Sequence, residues 1–245
     1  MKNNLSSFLT LTALVSILVL GGMNSAQAQE EPTFSVSGTV DSYYRSSEYA
    51  PGTSFANLNG FSLGMANIVL SYEGEKSGFV ADLVYGPRGA DAVFGSTGSS
   101  NIVNQLYVYY NVSDSFTLTL GNFNTFLGYE VISPAANFNY STSYMFSYGP
   151  FSHTGLKADI ALSDDVSLML GVLNQTDYTE QNSYYDEDTD AVVAFDDYMF
   201  GAQLGLYGQY INFLSGGASN ASQIDFTGGI DITDGFFLGV NATSY

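Results

Sequence analysis

The chain contains a hairpin-like unit that recurs three times. VSDSFTLTLGNFN at 112–124 aligns with LSDDVSLMLGVLN at 162–174, and ITDGFFLGVN at 232–241 is a shorter third copy. Each copy has a Ser/Thr-Asp pair at its second and third positions, and such side chains stabilise tight turns by bonding to nearby backbone. Alternating apolar and polar residues follow each pair and also precede it. Because alternation of period two is the signature of a strand, the unit is predicted to be two antiparallel strands joined by a short turn.

The connections at the other ends of these hairpins are much longer. They cover 46–60, 86–101, 121–155 and 174–197. Short turns at one end, long loops at the other and strands of roughly 9 to 12 residues are the organisation of a membrane barrel. The sequence therefore predicts an all-β fold, a transmembrane antiparallel up-and-down β-barrel. Residues 198–214 form either one long strand or two strands with a turn near Gly205 to Gln209. The chain therefore contains ten or eleven predicted strands, and these need not be enough to close the barrel.

A secreted β-sandwich also has alternating strands, and composition separates the two folds. The outward faces of a soluble sandwich carry many Lys and Glu residues. In this chain only 12% of residues are charged, and the polar faces carry Ser, Thr, Gly, Gln and Tyr instead. Small polar side chains suit a water-filled lumen, and tyrosines at strand ends suit the membrane interfaces. The membrane barrel is the favoured interpretation.

Residues 1–28 have the features of a secretory signal peptide. Lys2 precedes an apolar run that ends at Gly21-Gly22, and Ala26-Gln27-Ala28 is a small-residue cleavage site. The remaining residues, 29–245, form the predicted barrel domain. They contain all 24 acidic residues and four of the five basic ones, which excludes nucleic acid as a natural partner. The chain has no cysteine, so it is not a disulfide-stapled secreted scaffold.

The segment that interrupts the strand pattern, 121–155, carries the most distinctive motifs. It contains Gly128-Tyr129-Glu130, NFNYSTS at 137–143 and PFSHTG at 150–155. In order and spacing these resemble a block of the OmpL-like β-barrel porin family of Gram-negative outer membranes, and the resemblance extends over most of 34–175. Thr142 stands where that family usually has Arg. The family usually continues for several strands beyond Tyr245, so we expect a truncated member whose C-terminal strands are missing.

The resemblance implies that 121–155 is an ordered loop, and in porins such a loop can fold inward and narrow the channel. Packing over the barrel mouth is the alternative. The candidate pore or constriction residues are Glu130, Asn137, Asn139, Tyr140 and His153. A carboxylate at Glu130 would attract cations. Alternation in the neighbouring strands gives three candidate lumen-facing residues, Gln105, Lys157 and Asp159.

The loop at 174–197 is strongly acidic. Its candidate residues are Asp186, Glu187, Asp188, Asp190 and Asp197. Their spacing matches a calcium loop in part, but Ala191 replaces the turn glycine and Asp is a shorter twelfth ligand than Glu. A solvated outer loop that gathers cations loosely is the favoured interpretation.

The sequence predicts neither catalysis nor a cofactor. Its only histidine, His153, lacks a credible acid–base set and is a poor basis for a zinc site, so a structural hydrogen bond is expected there. We therefore expect a porin-like channel that admits small hydrophilic solutes or ions by passive diffusion, with weak cation preference. A non-conducting barrel for adhesion or surface contact is the alternative. The expected partners are outer-membrane lipid, the solutes and the barrel assembly machinery, which favours an aromatic C-terminus such as Tyr245; no oligomeric state is predicted.

Overall fold

The computed structural model describes residues 31–49, 52–55, 57–93, 95, 98–181, 183–188, 190–194, 197–218 and 221–245. The predicted signal peptide at 1–28 lies outside these residues. In the described part of the chain no helix is both long and apolar enough to cross a bilayer.

Thirteen strands account for most of the described residues. In chain order they are β1 (Thr33–Arg45), β2 (Gly60–Glu73), β3 (Ser77–Tyr85), β4 (Val103–Ser113), β5 (Phe116–Asn124), β6 (Ser152–Ser163), β7 (Val166–Leu173), β8 (Ser183–Asp186), β9 (Ala191–Ala194), β10 (Met199–Leu206), β11 (Gln209–Gly216), β12 (Ala221–Thr233) and β13 (Phe236–Ser244). Eleven of them form one antiparallel sheet in the order β1-β2-β3-β4-β5-β6-β7-β10-β11-β12-β13, and β8 pairs with β9 separately. The predicted all-β, up-and-down architecture is confirmed. Within the described residues β1 and β13 do not pair with each other, so the sheet is not closed.

Short and long connections alternate along most of this sheet; the exception is 217–220, a short connection between β11 and β12. The short turns, at 74–76, 114–115, 164–165, 207–208 and 234–235, all lie at one end, which we name the short-turn end. The opposite end, the long-loop end, contains the other connections and two short helices, α1 (Pro87–Ala92) and α2 (Tyr144–Tyr148). The turn Tyr207-Gly208 separates β10 from β11, so the two-strand interpretation of 198–214 is the one the structure adopts.

Three predicted boundaries differ from the structure. The ladder between β5 and β6 continues past Gly121 and Gly155 to pair Asn124 with Ser152, so the irregular segment is 125–151 and not 121–155. The alternation of apolar and polar residues changes phase around Asn67, which predicts a bulge there; the register between β1 and β2 shifts instead at 64–65. The loop at 174–197 contains the β8–β9 hairpin. Gly121, Gly155 and neighbouring polar residues obscured the first of these features, because neither kind marks a strand reliably.

The two faces of the large sheet differ in polarity. One face, the outer face, exposes rows of large apolar side chains along neighbouring strands, among them Val36, Leu106, Val108, Leu156, Leu170, Phe200, Phe213, Ile224 and Leu238. The other face, the inner face, carries Ser, Thr, Asn, Gln, Asp, Gly and Tyr, with apolar side chains such as Val84, Leu173 and Leu214 near the long-loop end, and 125–151 packs against it. An apolar surface of this extent around a polar interior is the arrangement that a lipid environment requires.

Two apolar clusters fill the interior near the long-loop end. One joins the loop 46–59, α1 and 125–151 through Phe55, Met65, Val84, Ala92, Val93, Ile132 and Phe151. The other joins 125–151 to the strands through Phe123, Leu127, Leu173, Met199 and Leu214. Burial of these side chains holds the loops against the sheet, since each fully buried large apolar side chain contributes about 1.5–3 kcal/mol.

The polarity of the two faces predicts that an introduced lysine lowers stability on the outer face but not on the inner face. Leu170 lies mid-strand on the outer face, whereas Thr117 lies on the inner face and pairs across strands with Asp159. Leu170→Lys should reduce the free energy of unfolding from phospholipid vesicles by about 2–4 kcal/mol, because the ammonium must enter hydrocarbon. Thr117→Lys should leave it nearly unchanged. Guanidinium unfolding of the refolded proteins measures both, and equal losses would contradict the assignment of the faces.

Candidate functional site

The segment 125–151, which we name the inner loop, lies across the inner face of the sheet. The Tyr140 hydroxyl donates to Asp41 Oδ2 on β1 at 2.8 Å. At the other side of the sheet, the Gly128 N–H donates to Asp225 Oδ1 on β12 at 3.0 Å. The Tyr245 hydroxyl, just after β13, donates to the Met145 carbonyl at 3.2 Å. Since β1 and β13 are the two edge strands, the inner loop connects both sides of the sheet through its interior.

These contacts fall at one level of the interior. Asp41 lies four residues before β1 ends, and Asp225 lies four residues after β12 begins, so both are roughly 13 Å below the long-loop end at about 3.3 Å per residue. Gln203 occupies the same level on β10, and its Nε2 donates to the Phe126 carbonyl at 3.2 Å. The inner loop therefore enters the interior, as a constriction loop would, and does not only cover the mouth.

Asp225 is a buried carboxylate surrounded by neutral donors. It is 1% exposed. Besides Gly128, its oxygens accept from the side chains of Asn212, Thr227, Asn241 and Thr243. Hydrogen bonds to a charged group are stronger than neutral ones, and a buried charge is costly without them. The geometry makes Asp225 a structural anchor for the inner loop.

Arg88 on α1 binds the inner loop from the long-loop end. Its side chain is 4% exposed, its Nε donates to the Ile132 carbonyl and its Nη1 donates to the Tyr140 carbonyl, both at 2.9 Å. The guanidinium also lies 4.3 Å from the centre of the Phe55 ring. Burial lowers the pKa of Arg88, while the Tyr140 hydroxyl and the carboxylates of Asp41 and Glu130 act in the opposite direction. A planar guanidinium can satisfy two carbonyls at once, which an ammonium cannot do with the same geometry.

The predicted constriction residues have different roles in the structure. Glu130 accepts from the Ser143 N–H at 2.9 Å and from its hydroxyl, at the start of α2. Asn137 bonds to both the N–H and the carbonyl of Val131. These two side chains shape the inner loop, Tyr140 attaches it to β1, and Asn139 is exposed.

His153 lies on the inner face at the start of β6 and is fully buried. Its Nε2 lies 3.0 Å from the Thr125 hydroxyl, and its ring centre lies 4.9 Å from that of Phe126. The contacts join the return of the inner loop to its beginning, so they are structural in kind.

The three predicted lumen-facing residues share one cavity of about 360 Å³ below the inner loop. Lys157 Nζ lies 2.6 Å from Asp159 Oδ2, and it also lies over the Phe123 ring at 5.4 Å. Gln105 accepts from the Asn124 N–H at 3.1 Å. The rest of the lining includes Tyr107, Tyr109, Thr117, Thr119 and Gln203. The wall is polar and aromatic, and its two opposite charges are paired.

Four of the acidic loop residues meet at the tip of the β8–β9 hairpin. Asp186 ends β8, Glu187 and Asp188 form the turn, and Asp190 precedes β9 with φ of 51°. Asp197 follows the hairpin, two residues before β10, while Asp196 lies outside the described residues. Among the residues that the structure describes, no group of three or more His, Cys, Asp or Glu side chains is arranged to hold a metal ion.

Sequence reasoning missed the anchors of the inner loop. Asp41, Arg88 and Asp225 were assigned no role, because their partners are far away in the chain. Two signals were present: Arg88 is one of few cations, and Asp225 is a carboxylate at a polar position of the alternation in β12, between Ile224 and Phe226. A further contact, from Asp177 in the loop after β7, was also missed. Asp177 Oδ1 accepts from the N–H groups of Phe151 and Ser152 at 2.6 and 3.0 Å.

Replacement of Arg88 should release the inner loop. Arg88→Met keeps the apolar stem but leaves the carbonyls of Ile132 and Tyr140 without donors, at roughly 1–3 kcal/mol for each buried group. We expect chymotrypsin to cleave the aromatic-rich inner loop at least about tenfold faster, since 1.4 kcal/mol corresponds to a factor of ten. Lys76→Met, in a short turn at the opposite end, is the matched control. Unchanged cleavage in Arg88→Met would show that Arg88 does not hold the loop.

Asp177 predicts a pH-dependent contribution to stability. Burial raises the pKa of Asp177 to about 6, although the two backbone donors lower it. The folded state therefore binds this proton more tightly than the unfolded chain does. The contribution of Asp177 is most favourable below its unfolded pKa of about 3.9 and is lost as the pH rises through about 6.

Asp177→Asn tests this dependence. The amide keeps an acceptor oxygen and stays neutral, and Asn tolerates the φ of 69° found here. The variant should match the parent at pH 4 and exceed its unfolding free energy at pH 7.5 by on the order of 1–3 kcal/mol. Denaturant unfolding at both pH values measures the difference, and a difference that does not change with pH would refute the assignment.

Comparison with known proteins identifies the architecture. Residues 33–245 match the family described as "Putative beta-barrel porin-2, OmpL-like". The match extends well beyond the motifs at 121–155 to include β10 to β13. A search of curated proteins finds no match. The apolar outer face, the polar interior and the inner loop are thus features of a member of this family: the chain belongs to the OmpL-like β-barrel porins.

Proposed function

We propose that the protein is a channel of the outer membrane through which small hydrophilic solutes or ions diffuse passively, with a weak preference for cations. The observation that carries this proposal is the inner loop. The inner loop packs against the inner face of the sheet and is hydrogen-bonded to β1 through Asp41 and to β12 through Asp225. Beneath it lies a polar and aromatic cavity of about 360 Å³. A fixed loop above a polar wall is suited to selecting solutes by size without a moving part.

The proposed cation preference rests on the excess of acidic over basic side chains along the proposed solute path. The chain has 24 acidic and five basic residues. At the outer mouth, the β8–β9 hairpin presents Glu187, Asp188 and Asp190 to solvent. Deeper in, Lys157 is paired with Asp159 and contributes little net field. Acidic side chains at a mouth enrich cations and repel anions, and salt screens the effect within about 10 Å at 0.1 M.

A non-conducting barrel that serves adhesion is the second candidate. The two apolar clusters favour it, because they fill much of the interior at the long-loop end. Exposed aromatic side chains at that end, including Tyr49 and Tyr148, could contact a partner surface. In either case we propose export by a cleaved signal peptide and insertion by the barrel assembly machinery.

Conductance separates the two candidates. The purified full chain, reconstituted in a planar bilayer, should show discrete conductance steps, and in a potassium chloride gradient its reversal potential should indicate cation selectivity. Properly folded protein that inserts but does not conduct would eliminate the channel and leave the adhesion candidate.

The origin of the selectivity can be tested separately. Replacing Asp186, Glu187, Asp188 and Asp190 by their amides should reduce the cation-to-anion permeability ratio at 0.1 M salt by roughly twofold or more, and much less at 1 M, where the Debye length is about 3 Å. Asp164→Asn with Asp165→Asn, in a short turn, is the control for charge at the other end. Equal effects of the two sets would place the selectivity elsewhere.

A further inference from the structure

An aromatic cavity of about 530 Å³ lies between the inner loop and the strands β11 to β13. Tyr129 and Phe138 line it from the inner loop, and Tyr210 and Phe237 line it from the sheet. The remaining lining is chiefly glycine, with Thr227 and Val240. The cavity lies toward the short-turn end, since Gly208 of the β10–β11 turn is part of its wall.

The rings lie close to one another and to backbone that lacks side chains. The Tyr129 and Phe138 ring centres are 6.4 Å apart with an angle of 59° between the planes, so the two rings form a corner. On the sheet side, the Phe237 ring lies so close to Gly229 that a Cβ there would be 2.2 Å from its Cζ. The absence of a side chain at Gly229 leaves room for this ring.

These aromatic side chains remain in contact with solvent. Phe138 is 83% exposed, Phe237 is 52% exposed and Tyr129 is 47% exposed. Exposed apolar side chains that converge on one cavity are unfavourable unless something covers them, and such groupings mark binding sites. A bound solute would remove part of this apolar surface from water.

The electrostatics of the cavity select the charge of that solute. Among the described residues that line the cavity, none is acidic or basic. The faces of aromatic rings are electronegative and attract cations, most strongly when the cation is weakly hydrated. The Glu130 carboxylate acts on Tyr129 from the adjacent position, and the net charge of the chain is −19. A negative surrounding with an aromatic lining disfavours anions.

We propose that this cavity binds organic cations whose head group is a methylated ammonium. Four rings supply cation–π contacts to the methyl groups, which need no hydrogen bonds. A sugar fits less well, because the polar side-chain groups of the lining are few and the Thr227 hydroxyl already donates to Asp225. A small inorganic ion would lose hydration without gaining oxygen ligands. Weak binding of this kind suits permeation, because a channel site must release what it binds.

The binding claim stands without the proposed channel function, and only its consequence for transport depends on that function. Binding is therefore measured on detergent-folded full-length protein by saturation-transfer NMR, with tetramethylammonium chloride as probe in 0.15 M sodium chloride. The neutral carbon analogue of choline, 3,3-dimethylbutan-1-ol, is the matched probe. Tetramethylammonium should bind in the millimolar range, and the neutral alcohol should bind at least about fivefold more weakly.

Variants locate the site. Phe138→Leu and Tyr129→Leu should each weaken tetramethylammonium binding by roughly fivefold. Tyr144→Leu, which removes another exposed ring of the inner loop that does not line the cavity, should leave it unchanged. Equal binding of the neutral alcohol would overturn the proposal, as would no binding to the folded parent or an equal loss in Tyr144→Leu. If tetramethylammonium binds but the protein does not conduct, the binding site stands and the proposed channel function is rejected. If the protein conducts but tetramethylammonium does not bind, the channel function stands and the binding site is rejected.

Discussion

Hydrocarbon offers no partners to a peptide group, so a chain that crosses it as strands must pair its own backbone there. In this protein the antiparallel ladder supplies that pairing from β1 to β13, and the register of the ladder then assigns every side chain to one of two faces. The apolar rows on the outer face and the polar interior both follow from it. The constraint also explains where irregular backbone occurs, since it is confined to the ends of the strands and to the interior, where side chains can satisfy it.

The inner loop is the clearest example of such internal satisfaction. Its carbonyls receive hydrogen bonds from Arg88 and Gln203, and its N–H at Gly128 is bonded to Asp225. Apolar contacts supply the rest, because the loop contributes to both interior clusters. The loop consequently behaves as a part of the wall, although it belongs to no strand. Its attachment to β1 on one side and to β12 and the end of β13 on the other ties together the two sides of a sheet whose edges are not paired with each other.

The sequence predicted the strands and their turns well, but it did not predict the side chains that attach the inner loop to the sheet. Alternation and the recurrent Ser/Thr-Asp turns gave the fold class and the rhythm of short and long connections, because both are local properties of the chain. The end of β5 was placed too early and the start of β6 too late, because Gly121, Gly155 and the polar residues between them and the inner loop carry no strand signal although they pair in the ladder. The contacts of Asp41 and Asp225 with the inner loop join residues nearly a hundred positions apart, and no local pattern encodes them. The paired state of Lys157 and Asp159 follows from their shared face, whereas burial of Arg88 depends on two loops meeting in space.

Glycines on the inner face have a consequence for the dimensions of the interior. Gly78 lies directly across from Tyr109, Gly205 from Tyr210, and Gly229 beneath the Phe237 ring. Each missing Cβ leaves room for a ring to lie flat on the neighbouring strand instead of projecting inward. The free space inside the sheet thus depends in part on residues that carry no side chain. Exchanging one of these glycines for alanine would displace the ring above it and so change the width of the interior, with every other residue left in place.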